Sequence, residues 1–273
     1  MLLASEERIR RIINWRDFYR FPQKQAMKRL LFVLSLSLFF YSCKKEATPN
    51  PQSLPNGYSN QALGKSAVDL LTSTTYTTLN IQVQYMPGYE LEAATIGNLT
   101  SYLTILCNKP GGISITQSPI AANGHALTVD SAAIIERNNR TAYTSGNTIA
   151  VYILVTDGFD TSLSTLGFAY RNTSICIFGK DIFTNSGGIG QASRVALETS
   201  VLEHEFGHIL GLVNLGTPMV TFHQDVVHNN HCTNPHCLMY YAIDTHGVLP
   251  GMSNVVAELD SNCRNDLRAN GGK

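Results

Sequence analysis

The chain has 273 residues, of which 44% are hydrophobic and 15% are charged, and its formal net charge at pH 7 is zero. This composition excludes an intrinsically disordered protein, and the length suffices for one domain with a substantial core and a tail. The charge balance gives no basic surface of the kind that binds nucleic acid, so no nucleic-acid partner is expected.

The first 43 residues have the pattern of an export signal behind an extension. Met27 begins a short basic region, and residues 30–41 form an apolar run of twelve residues. Such a run is typical of a signal peptide and is too short for a membrane-spanning helix, which needs about 20 residues. We predict a signal peptide over residues 27–43 and an upstream extension over residues 1–26, with Met27 as the true initiator. The alternative for residues 1–26 is a basic stretch that lies on a membrane or binds an acidic partner.

The end of this signal, Tyr41-Ser42-Cys43, resembles a bacterial lipobox, and the following Lys44-Lys-Glu46 is similar to lipoprotein export signals of some Gram-negative bacteria. The resemblance implies lipidation of Cys43 and a lipid anchor in the outer membrane or at the cell surface. The alternative is an ordinary buried cysteine after a core helix. Without residues 1–43 the chain keeps 12 basic and 17 acidic residues, a net charge of −5, which again predicts no nucleic-acid partner.

Residues 44–66 are rich in Pro, Asn, Ser, Gln and Gly, which predicts a flexible tether, and the remaining residues 67–273 are predicted to form one domain. Alternation of apolar and polar residues predicts a strand over residues 77–85, and helical spacing predicts a helix over residues 90–107. A short strand over residues 113–116 follows Gly111-Gly112.

Asp130 or Ser131 is predicted to cap a second helix that runs to about Arg140. The continuous apolar run at residues 148–155 is typical of a central strand, and residues 170–178 predict another strand. A final helix is predicted over residues 252–269. The predicted order is therefore β-α-β-α-β-β before the next helix.

That next helix, which begins near Ala192, carries His204, Glu205 and His208. Residues four apart share a helix face, so both imidazoles can bind one zinc ion at about 2.0–2.1 Å. Glu205 lies beside the metal, where a carboxylate can take the proton of a zinc-bound water. This H-E-x-x-H pattern is the signature of zinc peptidases, and the alternative is chance spacing on an amphipathic helix. Gly211 can end the helix in a left-handed conformation.

The stretch resembles the metzincin clan of zinc metallopeptidases, whose pattern is H-E-x-x-H-x-x-G-x-x-H followed by a methionine turn. His204, Glu205, His208 and Gly211 match in register, but Asn214 occupies the place of the third ligand, and an amide is a poor zinc ligand. The third ligand must therefore come from elsewhere, or the site is damaged.

Further along, His231-Cys232-Thr-Asn-Pro-His-Cys237-Leu-Met239 resembles the H-C-x4-C-x-M segment of archaemetzincins. The resemblance implies that His231 is the third zinc ligand and that Met239 belongs to the turn beneath the metal. Residues 214–230 are then an insertion of seventeen residues. The alternative for Met239 is an ordinary core residue.

The same resemblance implies an α+β, metzincin-like fold. It consists of a mixed twisted sheet with two helices, one of which carries the zinc motif, and a small C-terminal subdomain that ends in a helix. The strand before the motif helix would be the edge strand along which substrate lies. Tyr241 stands where astacin-like metzincins carry a tyrosine that can bind the transition-state oxyanion.

Five cysteines follow Cys43, at positions 107, 176, 232, 237 and 263. Export to an oxidising compartment favours a disulfide between Cys232 and Cys237. The archaemetzincin resemblance implies the alternative of a second zinc held by cysteines of this segment and a later C-x-x-C, but only Cys263 lies downstream. His223, His228 and His236 are predicted to be loop histidines.

Together these features predict a zinc-dependent metalloendopeptidase that acts on peptide or protein substrates at the cell surface. The main alternative is a noncatalytic surface lipoprotein or binding module that retains the fold. Asn214, at the place of the third ligand, supports this alternative, and the intact Glu205 argues against it. A zinc peptidase with Glu258 as the third ligand is a further alternative, although no helix with the usual motif surrounds that residue.

Overall fold

The computed structural model describes residues 54–160, 165–243 and 254–273. The predicted extension, signal peptide, lipidated Cys43 and most of the tether lie outside the described residues, as does the predicted start of the final helix. None of the helices in the described part of the chain is long and apolar enough to span a membrane.

The domain is built on a mixed sheet of five strands in the order β2-β1-β4-β7-β6. Parallel pairing joins β2 to β1, β1 to β4 and β4 to β7, whereas β6 runs antiparallel to β7. Two further strands, β3 and β5, form a small parallel pair. In chain order the strands are β1 (Thr78–Tyr85), β2 (Ile113–Pro119), β3 (Ala126–Leu127), β4 (Thr148–Thr156), β5 (Phe159–Asp160), β6 (Gly167–Arg171) and β7 (Ser174–Phe178).

Six α-helices accompany these strands in the described residues. They are α1 (Ala67–Leu71), α2 (Ala93–Leu106), α3 (Val129–Asn139), α4 (Gly179–Thr184), α5 (Arg194–Ile209) and α6 (Ser261–Ala269). Short 3₁₀ turns occupy Gly57–Asn60 and Tyr241–Ile243.

Hydrophobic side chains cover both faces of the sheet, because successive residues of a strand point to opposite faces. One face of β1, β4 and β7 packs against α2 and α5, as Ile81, Ile153 and Ile177 share a core with Leu103 and Phe206. The opposite face carries a smaller cluster that includes Tyr152, Phe178 and Ala132 of α3. The helix with the histidine motif is therefore held against the central strands.

The prediction of a mixed sheet with helices packed on it is confirmed, and β1, β2, β4 and α2 lie where the sequence predicted them. The single strand predicted over residues 170–178 is wrong, because the chain reverses at Asn172 and Thr173 and forms the hairpin of β6 and β7. As a result β7 lies inside the sheet, and β6 is its edge.

Two helix starts also differ from the prediction. Thr128 caps α3, in a capping box in which its hydroxyl accepts from Ser131 N at 3.2 Å and Ser131 Oγ accepts from Thr128 N at 2.7 Å. The final helix α6 begins only at Ser261, because Asp260 Oδ1 accepts from Cys263 N at 3.0 Å and so fixes the cap there.

Candidate metal centre

Helix α5 is anchored at its N-terminus before it presents the motif. Ser193 Oγ accepts from Ala196 N at 3.2 Å, as an N-cap does. One turn later the buried carboxylate of Glu198 accepts from Thr95 Oγ1 at 2.6 Å and from Arg194 Nε at 2.7 Å. These bonds tie α5 to the start of α2, so the motif stands on a fixed scaffold.

The C-terminal end of α5 is a Schellman motif. Gly211 N donates to His208 O and Leu212 N donates to Gly207 O, each at 3.0 Å. Gly211 has φ of +79°, and a Cβ there would lie 2.7 Å from Thr217 N. The helix therefore ends directly after the second motif histidine, as the sequence predicted for Gly211.

Three histidines converge at this end of the helix. Nε2 of His204 and Nε2 of His208 are 3.2 Å apart, and His231 joins them from the loop before the 3₁₀ turn. The potential ligand atoms of the three rings all lie within 4.8 Å of one another. The structure thus brings together the three residues that the sequence analysis proposed as metal ligands.

Backbone carbonyls orient two of these rings. His204 Nδ1 donates to Leu238 O at 2.7 Å, and His231 Nδ1 donates to Asn229 O at 3.0 Å. Because a carbonyl oxygen can only accept, the proton of each ring stays on Nδ1 and Nε2 keeps its lone pair. This is the tautomer that a metal ligand requires.

Burial keeps the helix histidines neutral. Desolvation lowers the pKa of His204 to about 4, although its hydrogen bond to Leu238 raises it in part. Desolvation, with smaller contributions from His204 and His231, holds the pKa of His208 well below its usual range. Neutral imidazoles are the form that binds metal cations.

The donor set fits zinc. Two nitrogens bound to one tetrahedral ion at about 2.0–2.1 Å would lie about 3.4 Å apart, close to the separation of the two helix Nε2 atoms. Three imidazoles are also the protein ligands of many catalytic zinc sites, which keep a fourth position open.

Glu205 and Asn214 lie in contrasting environments. Glu205 is 1% exposed and directly follows the first histidine on α5. Asn214 is exposed, has φ of +70°, and donates through its amide to Gln224 Oε1 at 3.3 Å. The alternative ligand Glu258 has a side chain that is 82% exposed and forms an ion pair with Arg264.

Met239 is fully buried and lies against α5 between the two motif histidines. A Cβ on Gly207 would meet Met239 Sδ at 2.2 Å, so only glycine allows this approach. Sequence reasoning did not single out Gly207, although a glycine inside a helix is a signal of close packing. The contact places the Met239 segment, and with it the carbonyl of Leu238, next to His204.

Tyr241 begins the 3₁₀ turn, and its ring stacks on His228 with centroids 3.6 Å apart. His228 is in turn paired with Asp225 Oδ2 at 2.8 Å. The oxyanion role that the sequence resemblance implies for Tyr241 stays a prediction.

The predicted Cys232–Cys237 disulfide is wrong, since the five described cysteines are all free thiols. The loop instead turns Cys232 and Cys237 towards Cys263 and Asp260, so that the four residues form one group. His223 lies in a loop, as predicted, and its side chain is buried next to the same group.

No protein-family model matches this sequence, and no curated protein matches it. Among solved structures, an archaemetzincin from Methanopyrus kandleri is similar, with 13% identity, a TM-score of 0.43, and coverage of 71% of this chain and 96% of that chain. Metalloproteinase-II from Bacteroides fragilis is similar with 15% identity, a TM-score of 0.40, and coverage of 79% of this chain and 58% of that chain.

Proposed function

We propose that the chain is a zinc-dependent metalloendopeptidase that hydrolyses peptide bonds in peptide or protein substrates. The observation that carries this proposal is the convergence of three imidazoles. Two come from α5, and His231 comes from a loop 23 residues after His208. Glu205 follows His204 directly on the helix and its carboxylate is buried, and we assign it as the base of the site.

The residues of the site would have separate roles in the reaction. Bound zinc would supply a Lewis acid that polarises the scissile carbonyl and acidifies water. Glu205 accepts the proton that the attacking water loses and then passes it to the leaving amine. The carbonyls of Leu238 and Asn229 hold the protons of His204 and His231 on Nδ1 throughout, so both rings remain available as ligands.

We assign the substrate to the edge strand β6. Among the described residues β6 pairs only with β7, and an extended peptide would add as a further strand on its other side. The strand also packs beside the motif helix, where a Cβ on Gly167 would lie 3.0 Å from Val201 Cγ1 of α5. A peptide that added to this edge would run alongside α5.

The location of the enzyme is a separate proposal that depends on the sequence around Cys43. We propose that the mature protein begins at a lipidated Cys43 and is anchored in the outer membrane or at the cell surface. Mass spectrometry of the N-terminal peptide should show a lipid on the Cys43 sulfur. An unmodified chain that begins at Met1 in the soluble fraction would contradict this.

Glu205→Gln tests the proposed chemistry, because it keeps the shape of the side chain and removes the base. Zinc content should stay unchanged, while peptide hydrolysis should fall by about 10² or more. Glu203→Gln is the matched control on the same helix. Burial, with a smaller contribution from Glu258, raises the pKa of Glu203 to about 8, so this carboxyl is largely protonated near pH 7 and its replacement by an amide changes little.

Two outcomes would count against the assignment. Equal hydrolysis by Glu205→Gln and Glu203→Gln would remove Glu205 from the reaction. A zinc-loaded parent that cleaves no member of a broad peptide library would favour the noncatalytic binding module instead.

A further inference from the structure

A cavity of about 460 Å³ lies between α2, α5 and the chain segment that leads into α6. Thr199 and Glu203 line it from α5 and share one face of that helix, because they are four residues apart. The motif histidines, His204 and His208, share a face about 100° further round the helix axis. The cavity is therefore separate from the metal centre, and its volume is in the range of about 300–1,000 Å³ that small-molecule sites have.

Apolar side chains form much of the cavity wall. Tyr102, Ile105 and Leu106 come from α2, and Leu259 comes from the segment before α6. Leu106 and Leu259 are buried, whereas Ile105 is 67% exposed although its side chain is large and apolar. An aliphatic group in the cavity would cover part of this apolar surface and would itself be withdrawn from water.

The polar side chains of the α2 wall form hydrogen bonds within the protein. Asn98 Nδ2 donates to Thr199 Oγ1 at 3.2 Å, and Ser101 Oγ donates to Gly97 O at 2.9 Å. A peptide in the cavity would bring amide groups that lose their hydrogen bonds to water and would have to compete for these partners. An aliphatic chain has no such requirement.

Cations outnumber anions around the cavity. Arg264 and Arg268 share a face of α6, and Lys273 follows that helix. Lys273 Nζ donates to Thr104 O at 2.7 Å, which holds the ammonium at the C-terminal end of α2. Arg264 pairs with Glu258, whereas no ion pair of Arg268 is found among the described residues. Arg268 and Lys273 therefore leave a net positive charge that an anionic group would complement.

The carboxyl of Glu203 is the feature that would favour a cationic ligand instead. Glu203 is only 7% exposed. Burial, with a smaller contribution from Glu258, raises the pKa of Glu203 to about 8. Near pH 7 this carboxyl is therefore largely uncharged, so it neither attracts an ammonium as an ion pair does nor repels an anion.

We propose that this cavity binds a fatty acid, with its alkyl chain between α2 and α5 and its carboxylate at Arg268 and Lys273. The apolar wall and the two cations correspond to the two parts of such a ligand. The proposal depends neither on the metal centre nor on peptide hydrolysis.

Three probes with the same alkyl chain test the choice of ligand. Octanoate, 1-octanol and octylamine are titrated into the full chain near pH 7, and binding is measured by calorimetry. We expect octanoate to bind at least about 10-fold more tightly than either of the others, because charge-assisted hydrogen bonds to arginine and lysine are worth about that factor. Absence of octanoate binding at millimolar concentration, or tighter binding of octylamine, overturns the proposal. Tighter binding of N-acetyl-dileucine than of octanoate also overturns it, in favour of a peptide carboxyl terminus.

Variants of the cavity locate the bound probe. Ser101 is exposed on α2, so Ser101→Phe adds a large side chain to the cavity without packing it into the core, and octanoate binding should fall at least about 10-fold. The double variant Arg268→Gln with Lys273→Gln should weaken octanoate by a similar factor and leave 1-octanol unchanged. Lys180→Gln, which removes an exposed cation on α4 outside the cavity, is the matched control and should bind octanoate as the parent does. Octanoate binding equal to the parent in Ser101→Phe, or in the Arg268 and Lys273 double variant, overturns the assignment of the site.

Discussion

The contact between Gly207 and Met239 makes a specific prediction for Gly207→Ala. The new Cβ would lie 2.2 Å from Met239 Sδ and 3.0 Å from Met239 Cε, against about 3.5–4.0 Å for an ordinary contact. Met239 is fully buried, so its side chain can move away only by displacing its neighbours. The substitution should therefore disturb the turn that holds the His204 ring through Leu238 O.

The expected change in the free energy of unfolding results from two opposing effects. Overpacking a core costs about 1–3 kcal/mol, while alanine in place of glycine inside a helix stabilises by about 1 kcal/mol. We expect a net loss of about 1 kcal/mol in the free energy of unfolding of the metal-free protein. Zinc affinity should fall as well, because the carbonyl that orients His204 moves with the turn.

A double-mutant cycle with Met239→Ala separates the steric clash with Met239 from the gain in helix stability that alanine gives. Met239→Ala alone should cost about 2–5 kcal/mol through the cavity that it leaves. Gly207→Ala should then become neutral or stabilising in the Met239→Ala background, with a coupling of about 1–3 kcal/mol by urea denaturation. Strictly additive effects would refute the claim that Met239 packs on Gly207.

Three further predictions concern the end of helix α5 at Gly211, the pKa of His204 and the hydroxyl of Tyr241. Gly211→Ala should lower the free energy of unfolding by more than about 1 kcal/mol, because the residue has φ of +79° and its Cβ would lie 2.9 Å from Ala67 Cβ; an unchanged denaturation midpoint would contradict this. The folded-state pKa of His204, about 4, lies below its unfolded value of about 6.5, so its contribution to stability is present above pH 6.5 and lost as pH falls towards 4. Glu203, with its raised pKa of about 8, has the opposite effect, so the test uses the metal-free Glu203→Gln variant. Its urea midpoints should drop over that range, and a flat profile would refute the depressed pKa of His204. Tyr241→Phe should lower kcat by about 10² with little change in KM if the hydroxyl binds the oxyanion, whereas equal kcat would end that role.

The sequence predicted the regular elements well where hydrophobic periodicity was strong. The apolar run of β4 and the alternation of β1 matched the structure to within one residue at each end. The hairpin of β6 and β7 was missed because both strands are short and the two-residue turn at Asn172 and Thr173 contains neither glycine nor proline. The Thr128 cap was missed because Asp130 and Ser131 are equally good caps by residue type.

The histidine pair of the site was visible in the sequence because its spacing is local to one helix. The position of His231 followed only from a resemblance, since a ligand from a distant loop leaves no periodic signal. A glycine inside a helix signals close packing, but the sequence does not name the partner of Gly207, and it gives no sign that His223 is buried. Gly207 is needed because of a contact with a residue 32 positions later, and His223 is buried by contacts with Cys232, Cys263 and Asp266.

The identity of the third ligand of the histidine centre is the most direct test of the proposed enzyme. His231→Ala should bind one zinc ion fewer than the parent and lose peptide hydrolysis with it, because two imidazoles leave a catalytic zinc short of the three protein ligands it normally has. Asn214→Ala, at the exposed position where the motif would place that ligand, should keep the parent's zinc content and turnover. Zinc content and hydrolysis equal to the parent in His231→Ala would contradict the proposed site.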